Sequence, residues 1–278
     1  MDYFAHLPEG CISEILSLTS PEDTARLSAT SKGFKAAAES DSVWNRFLPP
    51  DLTDIISRSA SPVVYSNKKE LYFTLCNSPI LLDDGAKLVR PTTGPGHYLS
   101  GGERVKSFSL DRRSGKKCFM IAARQLDIIW GNEDHCCQWA SLADSRFSEV
   151  AVIRRIIWFD IRGKIATKML SETTNYAVYL VFRFAGSAYG LQSSRALVRL
   201  VSRESNEEDA QNGADNLVNL FIGGVRRQER SDGWMEVEMG SFYNDAGDDG
   251  DVEAQFIELW PFRWERGLIV QGFEFRPK

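Results

Sequence analysis

Two hydrophobic periods divide the chain. Over residues 1–78 apolar side chains recur at helical spacing. Ile12, Ile15 and Leu16 stand at i, i+3 and i+4, one stripe of a helix. Ser20-Pro21-Glu22-Asp23 is a helix start: Ser20 caps, the proline suits the first turn, and two acids favour the positive end of the dipole. Ala25, Leu27 and Ala29 supply its inner face. Ser31 opens a third helix through Phe34 and Ala37. Asp41 is expected to cap a fourth, which carries Trp44 and Phe47 and stops at Pro49-Pro50. Two further helical patterns follow, Leu52/Ile55/Ile56 and Leu71/Leu75, the second after a Ser66 cap.

From about residue 105 the period becomes two. Phe182 and Phe184 alternate with Val181 and Arg183, and Met235, Val237 and Met239 alternate with Trp234, Glu236 and Glu238. Ile269, Gln271, Phe273 and Phe275 are expected on one face. Further strands are expected over 106–110, 117–123, 126–130, 156–162, 196–201, 217–222 and 253–259. Many short strands separated by Gly and Asp/Asn turns predict an antiparallel sandwich or barrel. No long helical pattern intervenes, which argues against a parallel α/β sheet. Residues 83–103, with Asp83-Asp84-Gly85 and Gly94-Pro95-Gly96, are expected to be a flexible hinge. Residues 203–216 and 245–251 are acidic and nearly free of apolar side chains, as solvated loops are.

Composition narrows the function classes. The chain has 278 residues, 33 basic against 38 acidic side chains and a net charge of −5. That argues against a general phosphate-backbone binder, which wants a basic face. Residues 104–117 hold six bases and one acid. With the whole chain acidic, a solvated hairpin accounts for them better than a nucleic-acid site. Five irregularly spaced cysteines do not make a disulfide scaffold. The start MDYFAHLPEGC lacks the basic n-region of a secretory signal. No apolar run approaches the ~18 residues a membrane span requires. The expected location is the cytoplasm and nucleus, with neither membrane nor nucleic acid as partner.

The N-terminal residues resemble an F-box. The resemblance rests on Leu7-Pro8-Glu9, Ile12, Ile15-Leu16, Ser20-Pro21-Glu22-Asp23, Ser28, Ser31, Phe34, Val43-Trp44 and Phe47, in that order. An F-box is a three-helix domain covered by helices of a Skp-type adaptor, which links it to a cullin and a ubiquitin-conjugating enzyme. The resemblance implies Leu7, Pro8, Ile12, Ile15, Leu16 and Trp44 at or beside the adaptor surface. On helix periodicity alone, Ile15, Leu16 and Trp44 fit a small core equally well.

Residues 105–278 resemble the phloem protein 2 family, also called Nictaba-like lectins. The landmarks are Gly115-Lys116-Lys117-Cys118-Phe119-Met120, Ile129-Trp130-Gly131, Trp139, Asp144-Ser145-Arg146-Phe147, Asp160-Ile161-Arg162-Gly163-Lys164, Asp232-Gly233-Trp234 and Gly267-Leu268-Ile269. The resemblance implies a jelly-roll-like β-sandwich. The family includes lectins for N-acetylglucosamine oligomers and the N-glycan core. An indole covers the flat C–H face of a sugar ring, so Trp130 and Trp139 are candidate carbohydrate contacts. The family's second stacking aromatic is replaced by Cys137, and a thiol provides no platform.

Other chemistry has weaker support. His135, Cys136, Cys137 and Cys118 miss the spacing of a structural zinc site. Asp245, Asp248, Asp249, Asp251 and Glu253 miss the register of a calcium loop. No nucleotide-binding, nucleophile-elbow or zinc-protease motif occurs. The expectation is an α+β multidomain chain: an F-box over 1–48, a helical connector and linker over 49–104, and a β-sandwich over 105–278. It would act without cofactor or catalytic residues as the substrate-recognition subunit of a Skp/cullin/F-box ubiquitin ligase. The target would be a protein or glycoprotein. The alternative is a cytoplasmic-nuclear lectin without a ligase role.

Overall fold

The computed structural model describes residues 7–87, 103–154, 158–185, 194–202, 218–220, 227–245, 250–258 and 267–278. The acidic stretch 203–216 and most of the Gly/Pro stretch 83–103 lie outside the described residues. Packing divides the chain into two compact units. One is Met1–Leu82 with Phe108–Cys118, and the other is Asp83–Ser107 with Phe119–Lys278.

The first unit is built on short helices: α1 (Glu9–Ser17), α2 (Pro21–Leu27), α3 (Lys32–Ala38), α4 (Asp41–Phe47), α5 (Leu52–Ser57) and α6 (Lys68–Asn77). Ser20 caps α2 by accepting from the Asp23 N–H, and Ser31 caps α3 by accepting from the Phe34 N–H, as their sequence signals predict. Two caps fall one residue from the expected place. Ser40, not Asp41, caps α4. Asp41 instead accepts from the backbone N–H of Lys68 at 2.7 Å. Asn67, not Ser66, caps α6, while Glu70 reaches back to the Ser66 N–H. In both cases two adjacent residues can cap, and packing decides between them.

Trp44 is the centre of this unit. It is fully buried, and its indole N–H donates to the Ala38 carbonyl at 2.6 Å. Its ring lies 5.2 Å from both Tyr72 and Phe73 and edge-on to Phe47 at 5.7 Å. The turn 111–116 belongs here too. The Tyr72 hydroxyl reaches the carbonyl oxygens of Asp111 and Arg112, both at 3.1 Å. Lys117, its side chain only 8% exposed, pairs with Asp51 at 2.8 Å. Gly115 has φ +70, and a Cβ there would stand 2.6 Å from the Phe47 carbonyl oxygen, so only glycine fits.

The strands are β1 (Ile80–Lys87), β2 (Glu103–Leu110), β3 (Lys117–Ala122), β4 (Asp127–Ile128), β5 (Cys137–Ala140), β6 (Val150–Ile153) and β7 (Phe159–Ala166). They continue with β8 (Thr174–Phe184), β9 (Ser194–Ser202), β10 (Val218–Leu220), β11 (Arg227–Glu229), β12 (Met235–Asn244), β13 (Gly250–Glu258) and β14 (Leu268–Pro277). One sheet runs β1-β2-β3-β14-β8-β12-β11, with β6 pairing β14 and β5 pairing β6. The other runs β10-β9-β13-β7-β4. The pairings given by register are antiparallel.

The second unit is therefore a two-sheet antiparallel sandwich. Its core is the inward alternation of both sheets, with Phe182, Phe256, Phe273 and Phe275 fully buried. The sheets approach closely at Gly163, where a Cβ would stand 2.9 Å from the Phe273 ring. The expected face Ile269–Gln271–Phe273–Phe275 is broken. A bulge between Val270 and Gly272 shifts the register, so Val270 joins Phe273 and Phe275 in the core while Ile269 is half-buried. The expected hinge begins as strand, since 83–87 continue β1.

Candidate functional site

The residues expected on the F-box surface separate by burial. Helix α1 packs against α3 and α4 and buries Ile12 and Leu16. Trp44 is buried with them. Leu7, Pro8 and Ile15 are exposed, Leu7 by 37% and Ile15 by 40%. Leu18, 73% exposed, and exposed Cys11 lie outside the periodic set Ile12, Ile15 and Leu16. Pro8, Cys11, Ile15 and Leu18 follow one another at helical spacings. They form an apolar stripe running from the N-cap to the C-cap of α1 along one flank of the buried Ile12–Leu16 face. Arg46 and Glu14 pair beside it at 3.1 Å.

In the second unit Trp130 stands just past β4 and is 41% exposed. Its φ is +66, rare for a bulky side chain and costly unless the surroundings hold it. The Ile129 N–H donates to the Asp160 carbonyl at 3.0 Å, and the Gly131 N–H donates to the Ile128 carbonyl at 2.9 Å. The Trp139 indole N–H donates to the Gly131 carbonyl at 3.2 Å.

Trp139 is thus placed behind the Trp130 turn. The Arg124 guanidinium lies 3.7 Å from the centre of its ring, and Glu149 grips Arg124 with two bonds of 2.8 Å. The Arg124 guanidinium in turn holds the Glu149 carboxyl below its usual range. Cys137, where the second stacking aromatic was expected, is buried on β5. Burial pushes its thiol up to about 12, so it is inert at neutral pH.

A second exposed indole does adjoin Trp130. Trp158, 37% exposed, meets it edge to face with ring centres 6.3 Å apart and planes at 78°. Pairing of β4 with β7 brings the two together, Ile128 lying opposite Ile161. Sequence reasoning missed Trp158, because a tryptophan inside the expected strand 156–162 gives no sign of which neighbour it meets.

Beyond this corner, β7 and its neighbours carry ion pairs. Arg162 bonds Asp160 at 2.6 Å, and Gln255 donates to the same carboxylate oxygen at 2.8 Å. Arg199 and Lys164 flank Glu253 at 2.6 and 3.5 Å. Burial pushes the Glu253 carboxyl up, but these cations outweigh it and hold it below its usual range. The other Asp160 oxygen, Oδ1, is buried with no hydrogen-bond partner among the described residues.

Comparison with known proteins fits this layout. The family described as Phloem protein 2 matches residues 116–277, and the one described as F-box-like matches residues 4–49. F-box protein PP2-B10 of Arabidopsis thaliana is 38% identical over 284 residues, covering 99% of this chain and 94% of that protein. Putative F-box protein PP2-B12 of the same plant is 40% identical over 276 residues, covering 99% and 98%. Among solved structures, a family 35 carbohydrate binding module from Clostridium thermocellum overlaps 57% of this chain and 96% of its own. Its TM-score is 0.31 and its identity 10%.

Proposed function

The chain belongs to the F-box proteins of the phloem protein 2 family, and on that premise we propose that it is the substrate-recognition subunit of a Skp/cullin/F-box ubiquitin ligase. The observation that carries this reading is the exposed apolar stripe Pro8–Cys11–Ile15–Leu18, with Leu7 preceding it. Ile12 and Leu16 already supply the buried face of this helix, so the exposed side chains beside them have no folding role, whereas a partner helix laid across them removes that area from water. Ile12, Leu16 and Trp44 support the stripe from behind.

The ubiquitin chemistry belongs to the partner proteins. This chain raises the local concentration of a target lysine near the loaded enzyme. The proposed sites of action are the cytoplasm and nucleus. The sandwich selects the target, and the exposed Trp130–Trp158 corner supports a glycan as the feature it selects.

Co-expression with a Skp-type adaptor tests the reading. The full chain is expected to co-purify with the adaptor. Ile15→Asp is expected to reduce recovery at least tenfold while its far-UV spectrum stays that of the parent, because it puts a charge into a desolvated interface. A parent chain that never holds the adaptor would leave only the lectin alternative.

A further inference from the structure

We propose that the sugar site extends beyond the tryptophan corner. A neutral oligosaccharide lies across the outer face of β9, β13 and β7 and ends against Trp130 and Trp158. This rests on the sandwich being a glycan binder and adds where the chain runs and what charge it carries.

The pleat decides which side chains share this face. On β7, Ile161 and Ile165 are buried in the core, so Asp160, Arg162 and Lys164 stand on the outside, and Trp158 precedes them in the same alternation. Pairing sets Gln255 opposite Arg162, Glu253 opposite Lys164 and Arg199 opposite Glu253. On the other side, Asp127 stands opposite Arg162. The face is accessible: the side chains of Lys164 and Arg162 are 56% and 43% exposed.

Charge identifies the occupant. Over the whole face Arg162, Lys164, Arg195 and Arg199 balance Asp127, Asp160, Asp251 and Glu253, so it has no net charge and offers nothing to a polyanion. Close-set donors and acceptors suit hydroxyl groups, which both give and take hydrogen bonds. Asp160 adds a specific demand. Its side chain is only 7% exposed, and its Oδ1 lacks a donor among the described residues. Buried acceptors normally find one, and a sugar hydroxyl or a bridging water supplies it once the half-exposed Arg162 side chain moves aside to open this closed oxygen. At the end of the run the two indoles meet at 78°, so a ring stacked on one abuts the other. That corner is preset, because the strained Trp130 backbone is held by the Gly131 and Asp160 contacts.

The test uses the full chain, with tri-N-acetylchitotriose as probe and a panel of neutral and acidic glycans beside it. Binding is read by calorimetry and tryptophan emission. Trp158→Ala is expected to weaken trisaccharide binding about tenfold or more, with Trp158→Phe recovering part of the loss. Lys164→Ala is expected to weaken it severalfold. Affinity is expected to hold between low and high salt, because the ligand is neutral. Thermal melts identify any variant that fails to fold, and exposed Lys164 keeps the test open if Trp158→Ala does.

If Trp130→Ala abolishes binding while Trp158→Ala and Lys164→Ala bind like the parent, the extended site falls and the glycan reading stands. A preference for sialylated or sulfated glycans that fades with salt overturns the neutral occupant. A parent chain that binds no glycan in the panel overturns the glycan reading, and this inference with it.

Discussion

Glu274→Ala is expected to remove about 3–5 kcal/mol from the stability of the sandwich. The residue is 4% exposed on β14. Its carboxylate takes Arg146 at 2.9 Å, Arg230 at 2.6 Å and Arg276 at 3.5 Å. Glu236 closes the cluster, bonding Arg230 at 2.6 Å and Arg276 at 2.7 Å. Removing Glu274 leaves two carboxylate oxygens fewer for three arginines that are themselves largely buried, and an unpaired buried charge costs more than the pair contributes. Domains are typically stable by only about 5–15 kcal/mol, so the loss is a large part of the total. Urea unfolding measures it; a change under about 1 kcal/mol would mean the cluster relaxes or hydrates freely.

The same residue gives a pH dependence. Burial pushes the Glu274 carboxyl up, but the three arginines outweigh burial and hold it below its usual range. A depressed carboxyl contributes stability above its unfolded value of about 4.3, and that contribution is lost as pH falls through the folded value. Acid unfolding of the parent is therefore expected below about pH 4, and Glu274→Ala is expected to flatten that slope.

Trp44→Ala is the second large effect, expected at about 3–5 kcal/mol in the helical unit. The substitution leaves a cavity bounded by Phe47, Tyr72 and Phe73 and takes the indole donor from the Ala38 carbonyl. Short helices have little stability of their own, so losing their shared anchor is expected to loosen all of them. Hydrogen exchange is expected to show lost amide protection in α1, α4 and α6. Adaptor recovery is expected to fall although Trp44 has no exposed surface. Protection of those helices at parent levels would show that the unit is held elsewhere.

How much of this was legible follows from the range of each interaction. Caps at Ser20 and Ser31 are local, and the sequence places them correctly. Period two over β8 and β12 is also local and finds both strands. Strands β5 and β6 have four residues each, too few for alternation to register. The β1 segment ILLDDGAK carries Asp83-Asp84-Gly85, which reads as a turn. The attachment of residues 111–116 to Tyr72 spans 39 and 40 positions, beyond any periodic signal.

The candidate sites show the same limit. Motif order points to Leu7, Pro8 and Ile15, and the structure leaves them exposed. It cannot separate them from Leu16 and Trp44, which have the same spacing but face inward. Trp130 is legible from the family landmark. The covering of Trp139 by Arg124 and the approach of Trp158 depend on strand pairing, which one sequence does not display.

The proposed function has one chain hold an adaptor through its F-box and a glycosylated target through its sandwich. Its most direct test is to immobilise a Skp-type adaptor, load it with the full chain, and pass over a glycoprotein trimmed to terminal N-acetylglucosamine. Capture is expected only when the chain is loaded, with release by free chitotriose and loss with Trp130→Ala. An adaptor surface that holds the chain firmly yet captures none of the glycoprotein would contradict it.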